Sequence, residues 1–140
     1  MKVIVIGAGL VGTYICEYLS SEDHDVTVIE KDPAVCRKAT DTLDAMVIQG
    51  DGASPALLVK AGLHKTDMMV AVSTDDEVNI LACLAAAKAG VKIKIARLRN
   101  PEFSQEGTLL GKQELGIDFI IHPERETARE LVWLTRRSAA

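Results

Sequence analysis

The stretch KVIVIGAGLVG, residues 2–12, carries the clearest structural signal in the chain. Residues 2–6 form a short segment that is apolar after Lys2 and mostly β-branched, which predicts a buried strand. A glycine pattern follows it directly and precedes a helical segment. In that context each glycine has its own role, since Gly7 permits a tight turn, Gly9 leaves space for a pyrophosphate, and Gly12 lets the helix pack close to the strand. The free N–H groups and the dipole of the helix start favour phosphate. The stretch therefore predicts a dinucleotide-binding turn.

Beyond this turn the chain alternates short apolar strands with amphipathic helices. We predict strands at residues 2–6, 25–29, 45–48, 67–72, 92–96 and 117–121. We predict helices at residues 10–20, from Asp32-Pro33, from Ser54-Pro55 to Gly62, from a Thr74/Glu77 capping box to about Ala89, from Asn100-Pro101, and at residues 124–136. The fifth helical region contains Gly107 and Gly111, so we expect it to be short or broken. This alternation predicts one α/β domain over residues 1–140: a Rossmann fold with a six-stranded, parallel, doubly wound sheet of order 3-2-1-4-5-6.

Composition excludes several classes of function. The net charge is −4 and aromatic residues are 4% of the 140, so neither a basic face nor stacking aromatics indicate nucleic-acid binding. Apolar runs such as residues 68–72 are far shorter than the about 20 residues that a membrane span requires, which argues against direct membrane insertion. The N-terminus lacks the pattern of a signal peptide, so we expect a cytosolic location. The three widely spaced cysteines predict buried apolar packing rather than disulfides or zinc.

Two acidic residues end the second and third strands. A carboxylate at Glu30 can accept hydrogen bonds from both ribose hydroxyls and would repel a 2′-phosphate, so we expect NADP to bind poorly, although Lys31 softens that repulsion. Glu30 does not separate NAD from ATP, because both carry an unmodified adenosine ribose. Asp51 either accepts a hydrogen bond from the adenine amino group or only shapes the Gly50-Asp51-Gly52 turn. Both alternatives remain open at this point.

Polar residues also follow the fourth and fifth strands. In the predicted order, Ser73 and Thr74 face the glycine turn across the crevice, where their hydroxyl and N–H groups can reach phosphate or the second ribose. Arg97, at the end of the fifth strand, suits a phosphate, whereas a surface ion pair is expected for Arg99. The acidic run 75–77 favours the dipole of the following helix, with a divalent-metal site as the weaker alternative.

A group for acid–base catalysis is harder to find. Tyr14 and Tyr18 lie in the first helix without a lysine four residues on, and His24 and His64 lie in or near turns. His122 is the one histidine predicted near the edge of the sheet, where a structural role is expected. The six strands also leave no room for a catalytic domain. These observations favour a binding module over a small NAD-dependent oxidoreductase or a fragment of one.

The last helix suggests a second surface. At helical spacing Ala128, Leu131 and Val132 form a face for the domain's own sheet. Trp133 and Leu134 then point partly elsewhere, which indicates a surface for self-association.

The chain resembles the regulatory nucleotide-binding domain of potassium transporters and channels, that is, the Trk potassium-uptake regulatory subunit or RCK N-terminal domain. The matching stretches are residues 3–12, 28–32, 49–51 with 61–62, 71–79 and 95–101. Most specific are DMMVAVS at 67–73, followed by Asp76-Glu77-x-Asn79, and IARLRNPE at 95–102. The chain departs from the family pattern at residues 107–111, where the family usually has an uninterrupted helix.

The resemblance implies a non-catalytic, cytoplasmic regulatory domain that binds NAD(H), or alternatively ATP or ADP. It also implies a homo-oligomer, with dimers assembling into a ring beneath a membrane-embedded potassium transporter or channel subunit at the inner face of the cell membrane. The last helix would serve as a packing or crossover element. The family's second, C-terminal ligand-binding subdomain has no counterpart in residues 1–140, so we expect an excised domain or a short family member. The ligand contacts that the resemblance implies are Gly7, Ala8, Gly9, Leu10, Val11, Gly12, Glu30, Asp51, Ser73, Thr74 and Arg97.

Overall fold

A computed structural model describes residues 1–105, 107–122 and 128–139. The strands are β1 (Lys2–Ile6), β2 (Asp25–Glu30), β3 (Met46–Gln49), β4 (Met68–Ala71), β5 (Ile93–Arg97) and β6 (Phe119–Ile121). The helices are α1 (Leu10–Ser21), α2 (Pro33–Thr42), α3 (Pro55–Lys60), α4 (Asp76–Lys88) and α5 (Ala128–Ala139). Short 3-10 turns cover Leu63–Lys65 and Pro101–Phe103.

The sheet is parallel, in the order β3-β2-β1-β4-β5-β6, which confirms the predicted fold. Its central strand β1 is buried on both faces, as its continuous apolar run predicts. Ile4 and Ile6 pack into the core beneath α3 and α4, whereas Val3 and Val5 pack into the core beneath α1 and α2. The strand order reverses between β1 and β4, and a crevice opens there at the carboxyl ends of the strands.

Side-chain caps fix most of the helix starts. Asp32 accepts hydrogen bonds from the N–H groups of α2, and Ser54 accepts one from α3, as their cap-plus-proline signals predict. The predicted Thr74/Glu77 capping box is wrong. The cap of α4 is Asp75, which accepts from the N–H of Glu77 at 3.1 Å. The hydroxyl of Ser73 bonds to the backbone of Asp75 and so places Asp75, rather than Thr74, at the cap.

The helical segment after β5 is short and broken, as Gly107 and Gly111 predict. Asn100 caps one 3-10 turn, accepting from the N–H of Glu102 at 2.9 Å. Turns follow, in which Gly107 has φ +81 and Gly116 has φ +69. Residues other than glycine rarely adopt such positive φ values. No long helix forms in the described part of this region.

Helix α5 packs on the same face of the sheet as α1. Val132 and the half-buried Leu134 both pack against the core shared with α1, so Leu134, predicted to point partly elsewhere, also contributes to the domain's own core. Helix α5 contacts α1 as well as that core. Its apolar face is therefore wider than packing against the sheet alone would require. Trp133 is 54% exposed, in agreement with the prediction. The start of the helix expected at residues 124–127, and the side chains of Ala128 and Leu131, lie outside the described residues.

No helix in the described residues has both the length and the apolarity needed to span a membrane.

Candidate functional site

The crevice at the carboxyl ends of β1, β2, β4 and β5 encloses about 390 Å³, within the range of about 300–1,000 Å³ typical of small-molecule sites. It brings together nine of the eleven predicted contact residues: Gly7, Gly9, Leu10, Val11, Glu30, Asp51, Ser73, Thr74 and Arg97. Ala8 and Gly12 are buried and do not line it. Its apolar floor includes Ile6, Ile29 and Val78, which sequence reasoning did not assign to the site.

The three glycines of the turn have distinct surroundings. Gly7 has φ +99, and a Cβ there would lie 3.0 Å from the backbone N and Cα of Ser73. A Cβ on Gly12 would overlap the carbonyl oxygen of Gly7, which shows how closely α1 packs on the turn. A Cβ on Gly9 would meet no protein atom within 4 Å, so this position opens into the crevice. The positive φ of Gly7, the open space at Gly9 and the close helix packing at Gly12 agree with the steric part of the predicted pattern.

Helix α1 begins without a side-chain cap. Its N-cap residue, Gly9, supplies no side-chain hydrogen bond, whereas α2, α3 and α4 are capped by Asp32, Ser54 and Asp75. The first N–H groups of a helix have no partner within the helix. At α1 these groups and the positive end of the helix dipole therefore remain available for an anionic group in the crevice.

Backbone N–H groups of the glycine turn and of the start of α2 hold the carboxylate of Glu30. Its Oε1 accepts from the N–H of Ala8 at 2.9 Å, and its Oε2 accepts from the N–H of Asp32 at 2.9 Å. A carboxylate has about four acceptor positions, so each oxygen retains one for a further donor such as a ribose hydroxyl. Glu30 is half-buried at the end of β2 and lines the crevice, so it is held in place by backbone groups rather than merely solvated.

Asp51 shapes its turn. Its side chain accepts from the N–H of Ala53 at 2.8 Å, and its carbonyl accepts from Ser54 at 3.1 Å. The carboxylate is exposed and lines the crevice, so the turn leaves it accessible to a ligand. The neighbouring Gly52 is required for space, because a Cβ there would overlap the side chain of Ile6.

Ser73, Thr74 and Arg97 form the far wall of the crevice. Thr74 is exposed, whereas Ser73 and Arg97 are half-buried. The N–H and hydroxyl of Ser73 both donate to the buried Asn79. Sequence reasoning gave Asn79 no structural role, although an asparagine on the apolar, sheet-facing side of α4 is a signal that a buried polar group must find partners.

Arg99 lies outside this wall. It is exposed, and its backbone N–H donates to Asp76 at 2.8 Å. The expected ion pair of Arg99 is absent from the described residues, where the one ion pair joins Lys94 to Asp118 at 3.3 Å.

Two carboxylates of the acidic run after β4, Asp75 and Asp76, accept hydrogen bonds from backbone N–H groups. Asp75 caps α4, and Asp76 accepts from the N–H groups of Arg99 and Asn100, at 2.8 Å each. Interaction with the Glu77 side chain, then the backbone N–H groups of Val78 and Glu77 and the charge of Lys31, hold the pKa of Asp75 below its ordinary value. Within the described residues no group of three or more acidic, histidine or cysteine side chains is arranged to hold a metal ion.

The histidines of the described residues lie away from the crevice. His24 shares a hydrogen bond of 2.9 Å with the N-terminal amine of Met1, and His64 lies in a 3-10 turn. His122 lines a separate polar depression formed mainly by residues 104, 105, 107, 108 and 111–114. None of the three is therefore placed to exchange a proton with a ligand in the crevice.

The three cysteines pack as buried apolar residues, as predicted. Burial raises the pKa of Cys16 and of Cys83 to about 12. Burial also raises the pKa of Cys36, with the charges of Glu30 and Asp32 acting in the same direction.

The sequence matches the model of the TrkA-N domain over residues 3–123. It is 39% identical over 129 residues to the Trk system potassium uptake protein TrkA of Azorhizobium caulinodans, covering 90% of this chain and 28% of that protein. It is 36% identical over 137 residues to a TrkA homolog of Methanothermobacter thermautotrophicus, covering 98% of this chain and 61% of that protein. The chain thus spans between about a quarter and three fifths of these curated relatives.

Solved structures share the fold. The TrkA-N domain of the inner membrane protein ybaL from Escherichia coli aligns with a TM-score of 0.75 at 21% identity, covering 95% of each chain. The GsuK channel bound to NAD aligns with a TM-score of 0.71 at 17% identity, covering 86% of this chain and 21% of the channel. GsuK bound to ADP aligns with a TM-score of 0.71 at 16% identity, covering 86% of this chain and 31% of that one.

Proposed function

This chain belongs to the TrkA-N domain family, and from that premise we propose that it is a regulatory nucleotide-binding domain of a potassium transporter or channel. The observation that carries the proposal is the uncapped start of α1, which opens through Gly9 into the crevice at the switch point of the sheet. The names of the Trk relatives support the link to potassium uptake. The GsuK structures with NAD and with ADP support the class of ligand.

The proposed ligands are NAD or NADH, with ATP and ADP as alternatives. The glycine turn and the start of α1 would hold the first phosphates, and the remaining acceptor positions of Glu30 would bind the ribose hydroxyls. A 2′-phosphate would meet the fixed carboxylate of Glu30, so NADP binds weakly. Ala8 and Gly12 contribute through the backbone that they shape, because neither lines the crevice.

Regulation requires two conformations that bind ligands with unequal affinity, because equal affinity shifts nothing. One wall of the crevice holds adenosine and the first phosphate, while Ser73, Thr74 and Arg97 reach groups further along the ligand. A short and a long nucleotide therefore tie the two walls together differently. Helix α1 carries the effect to α5, because the Nε of Arg136 donates to the hydroxyl of Tyr18 at 2.9 Å.

The proposal is of a non-catalytic domain. Among the described residues the crevice contains no histidine, and its carboxylates are engaged by backbone N–H groups, which does not favour the alternative of an oxidoreductase.

The proposed partner is a membrane-embedded potassium transporter or channel subunit, which would place the domain at the inner face of the cell membrane.

We also propose that residues 1–140 act as one nucleotide-binding unit that self-associates. The exposed Trp133 on α5 and Leu81, 49% exposed on α4, are apolar positions suited to such contacts. Light scattering at high concentration tests this, since a monomeric mass would contradict it.

A thermal-shift panel tests the ligand class. NAD, NADH, ATP or ADP at 100 times its dissociation constant should stabilise the fold by about 2.7 kcal/mol. Absence of any shift, or a preference for NADP, would refute the proposal.

A further inference from the structure

We propose that Asn79 is the positioning residue of the nucleotide site: its buried side-chain amide sets the far wall of the crevice by fastening Ser73 to Arg97. The inference rests on the proposed function, since it concerns how that site reaches the second half of a long ligand. Asn79 lies in the first turns of α4 and is fully buried, with 0% of its surface exposed.

The amide of Asn79 uses its full hydrogen-bonding capacity. Its Nδ2 donates to the carbonyl oxygen of Ser73 at 3.0 Å and to that of Arg97 at 2.7 Å. Its Oδ1 accepts from the N–H of Ser73 at 3.0 Å and from the hydroxyl of Ser73 at 2.8 Å. Two donors and two acceptor positions are all that a side-chain amide offers, so every one is matched. A buried amide satisfied in this way fixes the geometry of its partners.

These bonds bridge a gap where the sheet separates. The pairing of β4 with β5 ends at Ala71 and Ala96, whereas β5 continues beside β6 to the pair of Arg97 and Ile121. After Ala71, the last residue of β4, the chain turns away from β5 and enters the loop before α4. The Nδ2 group of Asn79 thus joins the two chains just past the end of their own ladder, at the edge where the crevice opens.

The same residue reaches the glycine turn through Ser73. The backbone of Ser73 lies so close to Gly7 that a Cβ on Gly7 would be 3.0 Å from its N and Cα. The turn itself is held by the bond from Ala8 to Glu30, so a shift of Ser73 would change the distance between the turn and Arg97, which a long ligand must bridge, rather than the turn. Asn79 lies beneath the crevice and is not among its lining residues, so its effect on a ligand passes through these neighbours.

Ligand length provides the test. AMP would contact only Glu30 and the glycine turn, whereas NAD would also extend to Ser73 and Arg97. In Asn79→Ala we expect the Kd of NAD to rise by about tenfold or more, and that of AMP to change by less than about threefold, measured by calorimetry. Cys83→Ala is the matched control, because Cys83 is buried one turn further along the same helix and does not line the crevice. It should leave the ratio of the two Kd values unchanged.

The outcomes separate the two proposals. If the unaltered protein binds neither ligand, the proposed function itself fails. If it binds both, and Asn79→Ala weakens AMP and NAD equally or not at all, the positioning role of Asn79 is refuted while the nucleotide site stands. Should Asn79→Ala not fold, the unaltered protein gives the same answer by hydrogen exchange. NAD should slow exchange of the Ser73 amide more than AMP does, and equal slowing would contradict the inference.

Discussion

The carboxylate of Glu30 accepts a hydrogen bond from the backbone N–H of Ala8 at 2.9 Å, across 22 positions of sequence. This bond ties the end of β2 to the glycine turn after β1, so the acid proposed for the ribose and the turn proposed for the phosphates form one rigid unit. Charge-assisted bonds of this kind are roughly twice as strong as neutral ones. The adenosine end of a ligand therefore meets a preformed surface.

Glu30→Gln should weaken the binding of NAD, NADH, ATP and ADP alike. The glutamine amide replaces one acceptor oxygen with a donor, so it cannot accept from both Ala8 and Asp32, and one backbone N–H loses its partner at a cost of about 1–3 kcal/mol. Removing the negative charge should also narrow the preference for NAD over NADP. Asp41→Asn, which neutralises an exposed acid on α2, is the control. Unchanged affinities for NAD, ADP and NADP in Glu30→Gln would show that this carboxylate does not contact the ligand.

Gly9→Ala and Gly12→Ala should separate binding from folding. A methyl group on Gly9 meets no protein atom within 4 Å, so the free energy of unfolding should change by less than about 0.5 kcal/mol. It projects into the space proposed for phosphate and should raise the Kd of NAD by about tenfold or more. A methyl group on Gly12 overlaps the carbonyl of Gly7 and should destabilise the fold by about 1–3 kcal/mol.

Urea unfolding and calorimetry on the two glycine variants provide the check. A Gly9→Ala protein that binds NAD as tightly as the unaltered chain would place the pyrophosphate elsewhere.

Arg97→Ala should reduce the affinity for NAD and ATP more than for AMP. Arg97 ends β5 on the far wall, and a guanidinium there is suited to a phosphate beyond the first. The differences in affinity among these ligands should shrink accordingly. Arg99→Ala removes the same charge two residues away, from an exposed side chain outside the crevice, and should leave the ranking intact. Competition titrations measure it, and an equal effect of both variants would indicate a non-specific charge effect.

Alkaline pH should destabilise the fold partly through the buried thiols. The pKa of Cys16 and Cys83 is about 12 in the folded chain, against an ordinary value of 9.0. Below that ordinary value both states are protonated and the stability is fully retained. As pH rises from about 9 towards 12 only the unfolded chain loses these protons, which lowers the free energy of unfolding by up to about 1.4 kcal/mol per pH unit for each thiol.

Cys16→Ala should therefore flatten the decline of stability between pH 9 and 11, as followed by urea unfolding under reducing conditions. An identical slope in the variant and the unaltered chain would mean that Cys16 ionises in the folded state as readily as in the unfolded state.

The strands were predictable because each carries a local signal, and their order followed from the alternation with helices and from the glycine turn after β1. Residues 2–6 are apolar on both faces, and caps such as Asp32-Pro33 mark helix starts within a few residues. The glycine turn was predictable for the same reason, since its steric roles depend on near neighbours. The local pattern could not rank Thr74 against Asp75 as the cap of α4, because the choice depends on where the hydroxyl of Ser73 points.

Long-range partners were the part that sequence could not provide. The bond from Ala8 to Glu30 spans 22 positions, and the bond from Asn79 to Arg97 spans 18. Neither bond leaves a periodic trace in the sequence, so the backbone partners of Glu30 were not predicted and Asn79 received no structural role. The contact of α5 with α1 was also not predictable, because helical spacing alone does not reveal which neighbouring helix lies beside the core beneath α5.

Backbone amide chemical-shift mapping with NAD shows whether a nucleotide binds at the uncapped start of α1. We predict that the largest shifts fall on the amides of Gly9, Leu10 and Val11, with further shifts at Ser73 and Arg97. Saturable shifts confined to the separate depression lined by His122, or no shifts at millimolar NAD, would contradict nucleotide binding at this position.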